Sequence, residues 1–134
     1  MLVKRKITLK AIVTEEYKRR LIAQLEQALQ KVELSLQQLE FQGRRYLTGM
    51  ENADPARTAA FREKLEVQKK RQERVRDSLS DRLAVVRALE IGVEHTHAML
   101  DGFAEVNVGD NLAEKLEAAE LVMKDDVVVE IRNA

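Results

Sequence analysis

The sequence predicts an α+β fold: a long antiparallel coiled-coil helical hairpin inserted in a small β head formed by both termini. Three observations carry this. A seven-residue apolar repeat runs through the middle of the 134-residue chain and is interrupted once, at Pro55. The two ends are rich in Val, Ile and Thr, which favour strands, while the middle is rich in Leu, Gln, Glu, Arg and Lys, which favour helices. Charge divides at the same borders: residues 1–13 carry +4, residues 14–91 carry +3 and residues 92–134 carry −7, so the formal net charge is zero.

Residues 1–13 are read as the first strand of the head. Val3, Ile7, Leu9 and Ala11 alternate with Lys4, Lys6, Thr8 and Lys10. That is the period of a half-buried strand, broken once by Arg5. Thr14 then has the chemistry of a helix N-cap, with Glu15 and Glu16 in the first turn, where the helix dipole favours acids.

The hairpin occupies residues 14–91, with its turn near 52–55. In the first helix the seam consists of Ile22, Leu25, Leu29, Val32, Leu36, Leu39, Tyr46 and Met50, with Gly43 at one seam position. Spacings of 4 and 3 sustained over about four heptads are the signature of a coiled coil. Asn52-Ala53-Asp54-Pro55 interrupts the pattern, and Asp54 as cap with Pro55 at the first helical position starts a second helix. Its seam is Phe61, Leu65, Val75, Leu79, Val86 and Leu89, with polar Gln68, Gln72 and Arg82 at the remaining seam positions. Each helix is about 37 residues, or ~55 Å, and a connection this short makes them antiparallel neighbours.

Antiparallel matching puts Met50 by Phe61, Tyr46 by Leu65, Gly43 by Gln68, Leu39 by Gln72 and Leu36 by Val75. It continues with Val32 by Leu79, Leu25 by Val86 and Ile22 by Leu89. The same register brings Glu40 to Lys69 and Glu33 to Arg76, pairs of opposite sign. Gly43 beside Gln68 and Leu39 facing Gln72 predict a loosely packed middle. Toward the base, Leu21, Ala28, Leu83 and Val85 widen the apolar face beyond what one partner helix covers. These residues either pack on the terminal strands or serve self-association.

Residues 92–134 are read as a β-rich head with one short helix. Asp101-Gly102 and Gly109-Asp110 are turn signals, and Leu112–Ala119 is a short helix capped by Asn111 or Asp110. Leu121-Val122-Met123, Lys124-Asp125-Asp126 and Val127–Ile131 read as a hairpin. An isolated hairpin is not stable. Residues 2–13 therefore close the head by pairing with the C-terminal strands, a +4 strand in a −7 setting.

No constellation of acid, base and nucleophile emerges, so the chain is read as no enzyme, with no cofactor. His95 and His97 would share one strand face and are the weak candidates for a metal, but zinc needs three or four ligands and no others are identified. The acids Glu105, Asp110, Glu114, Glu117, Glu120, Asp125 and Asp126 lack calcium-loop spacing and read as a solvated face. Arg44, Arg45, Lys69, Lys70 and Arg71 are the candidate phosphate-contacting residues, though Glu40, Glu66, Glu73 and Asp77 are interleaved. Cysteine is absent, so neither disulfides nor cysteine-ligated zinc hold the fold. No apolar run approaches the roughly 20 residues that cross a bilayer, which predicts a cytoplasmic protein with no membrane partner.

The opening strand ending in Ile12-Val13-Thr14-Glu15, the Gln/Glu/Leu-rich hairpin, the Val106-Asn107-Val108-Gly109-Asp110 step and the closing Val122–Arg132 segment resemble the YlqD family of bacterial proteins. The likeness covers nearly the whole chain. The family usually has Lys-Asp-Gly in the last hairpin, where this chain has Asp126 in place of the glycine. That departure argues against a type I′ turn and for a different loop. The resemblance implies no assigned activity and brings no catalytic residues.

The expected function is a coiled-coil structural or interaction protein that forms a homo-oligomer, a dimer or a tetramer, because a two-helix hairpin of this length leaves apolar surface uncovered. The alternative is an RNA- or ribosome-associated factor using the basic hairpin surface. A chaperone-like clamp ranks last, since the tip offers only Met50, Ala53 and Ala56 as apolar contacts.

Overall fold

A computed structural model describes residues 1–50 and 54–134, with Met50 through its backbone only. The turn expected near 52–55 and the seam position at Met50 therefore lie largely outside the described residues, as does Ala53. Among the described residues the chain forms β1 (Leu2–Ile12), α1 (Glu15–Met50), α2 (Pro55–Arg87), β2 (Glu94–Glu105), α3 (Leu112–Leu116), β3 (Ala119–Lys124) and β4 (Val127–Arg132). The fold is α+β, with a hairpin of two long packed helices and a four-stranded sheet drawn from both termini. Two compact units result: Met1–Arg19 with Leu89–Ala134, and Arg20–Ala88.

In the first unit β1 is a central strand, and the sheet order is β2-β1-β3-β4. β1 runs antiparallel to β2 along its whole length, from Leu2 opposite Glu105 to Ile12 opposite Glu94. It runs parallel to β3 from Ile7 opposite Ala119 to Ala11 opposite Met123. β3 and β4 form the expected antiparallel hairpin. Val13 and Val122 are fully buried at 0% exposure, and Ala11, Ala104 and Ala119 complete a core of small side chains. Small residues let the layers approach closely, which is how a head so poor in aromatics still packs.

Arg5, the residue that breaks the alternation of β1, is held by geometry. Its guanidinium donates to the backbone carbonyls of Glu117 and Asn133 at 2.6 and 2.5 Å. It therefore ties both the end of α3 and the end of β4 to the central strand.

Two turn readings are corrected. Asp101-Gly102 is not a turn, because β2 runs straight through it, with Gly102 opposite Arg5. Ile7 occupies the space where a Cβ of residue 102 would sit, so this glycine serves close approach within the sheet. The Lys124–Val127 loop does adopt the left-handed geometry that Asp126 argued against. Asp125 and Asp126 have φ of +47° and +68°, the pair of positive values a type I′ turn requires. Aspartate tolerates this region better than most residues. In addition, the Asp125 carboxylate accepts a 2.6 Å hydrogen bond from the Thr14 hydroxyl.

Both helix starts are capped as their sequences predict. The Thr14 hydroxyl accepts from the Tyr17 amide at 3.1 Å, and the Asp54 carboxylate from the Arg57 amide at 3.2 Å, with Pro55 opening α2. The short α3 is capped by Asn111, whose side chain accepts from the Glu114 amide, and it stops at Leu116 because Ala119 already belongs to β3.

The second unit packs differently from its expected register in three places. Tyr46 stacks on Phe61 with ring centroids 4.3 Å apart, although Phe61 was matched to Met50, one turn further along. Leu65 fills the space beside buried Gly43, its Cδ2 2.5 Å from where a Cβ would stand, so the missing side chain is replaced from the opposite helix. In α2 the buried residues near the base are Leu83 and Val86, while Arg82 is exposed. Coverage in α2 recurs every seven residues at Leu65, Gln72, Leu79 and Val86 and at Lys69, Arg76 and Leu83, so the second line of the seam lies one residue beyond Gln68, Val75 and Arg82, which are exposed.

The cross-helix ion pairs are corrected as well. Glu33, Glu40, Lys69 and Arg76 do line one recess. However, Glu40 pairs with Arg44 at 2.7 Å in its own helix, and Arg76 with neighbouring Asp77 at 3.3 Å. Exposed pairs contribute only about 0.2–1 kcal/mol, so a partner on the same helix, already in place, competes easily.

Candidate functional site

Four groups of side chains are candidates for a role beyond holding the fold: the histidine pair, the charged face of the sheet, the basic residues of the hairpin, and exposed apolar surface.

His95 and His97 do not sit as a simple i, i+2 pair. The β1–β2 register shifts between Leu9 opposite Ala98 and Lys10 opposite Thr96, so His97 is the extra residue of a bulge. Its Nδ1 lies 2.8 Å from the Tyr17 hydroxyl. The Tyr17 ring contacts both imidazoles, with centroids 5.6 Å from His97 and 6.4 Å from His95. Partial burial pushes the Tyr17 phenol above its ordinary pKa. The cluster joins the first turn of α1 to β2. Among the described residues no group of three or more His, Cys, Asp or Glu side chains is arranged to hold a metal ion. Sequence reading missed Tyr17, whose only local signal is its place three residues after the Thr14 cap.

One face of the sheet carries a ladder of charge centred on Arg132. Its guanidinium reaches Glu94 of β2 at 2.6 Å, Glu130 of β4 at 2.9 Å and Glu120 of β3 at 3.3 Å. Lys10 of β1 meets Glu120 at 3.1 Å, so all four strands take part. Hydrogen bonds from Arg132 hold the Glu94 carboxyl below the usual carboxylate range, and bonds from Lys10 and then Arg132 do the same for Glu120. The three carboxylates in turn hold the Arg132 guanidinium firmly protonated. Glu120 thus leaves the solvated acidic face to which its sequence assigned it. Lys6 likewise takes up Asp101 at 2.7 Å, so the +4 strand draws on the acidic C-terminal region as expected.

The five basic hairpin residues are not gathered at one point. Arg44 is paired with Glu40. Lys69 lines the mixed-charge recess with Glu33, Glu40, Glu73 and Arg76. Arg71 lines a separate open recess of about 370 Å³ with Ser35, Gln38, Leu39, Gln42, Gln68 and Gln72. Arg45 lies beside Gln42, Tyr46 and Gly49, and Lys70 is exposed on α2.

The seam residues Ile22, Leu25, Leu29, Val32, Leu36, Leu39, Phe61, Leu65, Leu79 and Leu89 are half-buried, and Val86 is buried. Tyr46 and Val75 remain 46% and 44% exposed. Leu34 and Phe41 on α1, and Val67 and Val85 on α2, are open to solvent. In the sheet the exposed apolar residues include Met99, Phe103 and most of β4. Among the described residues no helix is long and apolar enough to cross a membrane.

Comparison with known proteins places this geometry. The model of a family described as YlqD protein matches residues 1–132. An uncharacterized protein, YlqD of Bacillus subtilis (strain 168), is 28% identical over 127 residues, covering 95% of this chain and 94% of that protein. A crystal structure of a protein of unknown function from Synechococcus sp. WH 8102 superposes with a TM-score of 0.88 at 26% identity, covering 98% of this chain and 94% of that one.

Proposed function

The chain belongs to the YlqD family, and we propose that it is a non-enzymatic structural or interaction protein of the cytoplasm that assembles with copies of itself. The observation that carries this reading is the amount of apolar surface each unit leaves uncovered. Leu34, Phe41, Val67, Val75 and Val85 on the helices and Val127, Val128, Val129 and Ile131 on the sheet are all exposed. Apolar surface on this scale, rimmed by charge, is what association interfaces look like. Light scattering coupled to size exclusion at micromolar concentration tests it. The expected mass is two or four times 15.3 kDa, and a 15.3 kDa species alone refutes self-assembly.

A second reading is favoured by Arg71, which stands among four glutamines with Lys70 next to it in sequence. Amides and a guanidinium together suit a phosphate-sugar backbone, which makes RNA the alternative partner. It predicts binding that weakens steeply with salt and is lost when Lys69, Lys70 and Arg71 are changed to Glu. Absence of binding to total RNA at low salt ends this reading.

A further inference from the structure

The chain holds two histidines and two tyrosines. Both histidines and one of the tyrosines meet in a single cluster, within one compact unit. Two local devices bring them together. The Thr14 hydroxyl accepts from the Tyr17 amide and so fixes the first turn of α1, on which Tyr17 stands. On β2 the bulge makes His97 the extra residue, and bulges re-aim side chains. The His97 Nδ1 lies 2.8 Å from the Tyr17 hydroxyl, and the His95 ring stands against the same phenol ring.

As a tie between helix and sheet the Tyr17–His97 bond is weak, because it is exposed and exchanges readily for bonds to water. As a set of donors the cluster is more specific. Imidazole nitrogens suit zinc, copper and nickel, and Tyr17 supplies the third ligand that the histidine pair lacks in the sequence. Glu94, next to His95, is held by Arg132 and is not part of the set. The neighbouring cations are engaged elsewhere. Lys10, opposite Thr96, pairs with Glu120, and Lys18 donates to the Leu89 carbonyl. The 2.8 Å separation also selects a geometry. Two ligands each about 2.0 Å from a metal stand about 2.8 Å apart at the right angle of a square-planar site, and about 3.3 Å apart at the tetrahedral angle. Square-planar nitrogen and oxygen donors are those of copper(II) and nickel(II), and copper(II) binds tightest in the divalent series.

We propose that Tyr17, His95 and His97 form a binding site for a square-planar divalent transition metal ion, copper(II) the tightest, with His97 Nδ1 and the Tyr17 oxygen on neighbouring corners. A nitrogen of His95 takes a third corner and water the fourth. The phenol proton passes to solvent as the metal–oxygen bond forms, so the bound ligand is the phenolate, and no oxidation state changes. The site lies within the head and is independent of the self-assembly reading.

With no cysteine and no third histidine in the chain, a copper(II) titration reads this cluster without competing thiols or imidazoles. In a weakly chelating buffer the full chain is expected to take up one equivalent of copper(II), with a phenolate-to-copper charge-transfer band in the visible. Losing even an outer partner of a metal ligand costs about 10–100-fold in affinity, so His95→Ala and His97→Ala are each expected to bind copper(II) about tenfold more weakly or worse. Tyr17→Phe keeps the ring and removes one oxygen, so it reads the site even where a histidine variant disturbs the sheet. It is expected to abolish the band and to weaken binding about tenfold. Tyr46→Phe, at the tyrosine that stacks on Phe61, is expected to leave both unchanged. No uptake against the buffer overturns the site. Uptake without the band, equally tight in Tyr17→Phe, is adventitious binding by a histidine pair and overturns it too. So does a band that survives Tyr17→Phe.

Discussion

The head and the helical hairpin are stabilised in opposite ways. The head closes four strands over a few small residues and buries Val13 and Val122 completely. It adds two long-range ties, Arg5 to the carbonyls of Glu117 and Asn133 and Arg132 to three carboxylates. The hairpin runs for about ten turns in α1 and about nine in α2 with a single seam, whose residues are mostly half-exposed. Two helices side by side cannot enclose anything, because each seam residue is covered from one direction only. Strands drawn from both ends of a chain can enclose a core, because the sheet has two faces to cover. One unit thus gains stability from a few deep contacts and the other from many shallow ones.

The sharpest way to break that contrast is to attack one residue of each kind. Val122→Asp puts a carboxylate where no water reaches, at an expected cost of about 4 kcal/mol or more, a large part of a small domain's stability. Hydrogen exchange is expected to lose protection across all four strands. Leu29→Ala in the half-buried seam removes less buried surface and is expected to cost only about 1–2 kcal/mol, with α1 still helical. Equal costs for the two substitutions would show that the hairpin seam is as enclosed as the head core.

The contrast also explains what could be read from sequence. Helix caps are local devices, so Thr14, Asp54 and Pro55 announced both helix starts correctly. The alternation of β1 is equally local, and even its exception, Arg5, was visible as an exception. Its reason was not, because the carbonyls it serves lie 112 and 128 residues away. The same distance hid the rest of the candidate site. Nothing near Glu94 or Glu120 in sequence says that Arg132 will reach both, and nothing near His97 says that Tyr17 will meet it. Nor does Val127-Val128-Val129 reveal that it forms an edge, since edge status depends on strand order, and that order includes a parallel β1–β3 pairing. In the hairpin the repeat identified the seam. The burial of Leu83 rather than Arg82 depended on how α2 is rotated against its partner helix, which sets Lys69, Arg76 and Leu83 on the covered side in place of Gln68, Val75 and Arg82.

A smaller effect sharpens the electrostatic half of the comparison. Glu94 and Glu120 are held below the ordinary carboxylate range by Arg132 and Lys10, so their ionised forms are favoured in the folded head. Stability from a depressed carboxyl is present above its unfolded value and is lost as pH falls through its folded value. Melting temperature is therefore expected to drop on acidification from about pH 6 to pH 3. The double variant Glu94→Gln, Glu120→Gln is expected to melt lower at pH 6 and to show a shallower acid dependence. Parallel acid profiles for the two proteins would mean that the ladder contributes nothing to folding.

The smallest effect concerns the turn that joins β3 to β4. Asp125 and Asp126 both hold positive φ, a region that costs an L-residue about 1 kcal/mol relative to glycine. Asp125 offsets this strain through its bond to Thr14, which also caps α1. Asp125→Gly removes that strain and the acceptor of the Thr14 hydroxyl together, and loss of the acceptor is expected to dominate, so the variant melts lower than the wild type. Asp125→Asn keeps a side-chain oxygen that can accept from Thr14 and tolerates positive φ, and it is expected to melt closer to the wild type. Thermal melts of the two variants beside the wild type read the difference directly. Equal losses would show that the Thr14 bond does not stabilise the turn.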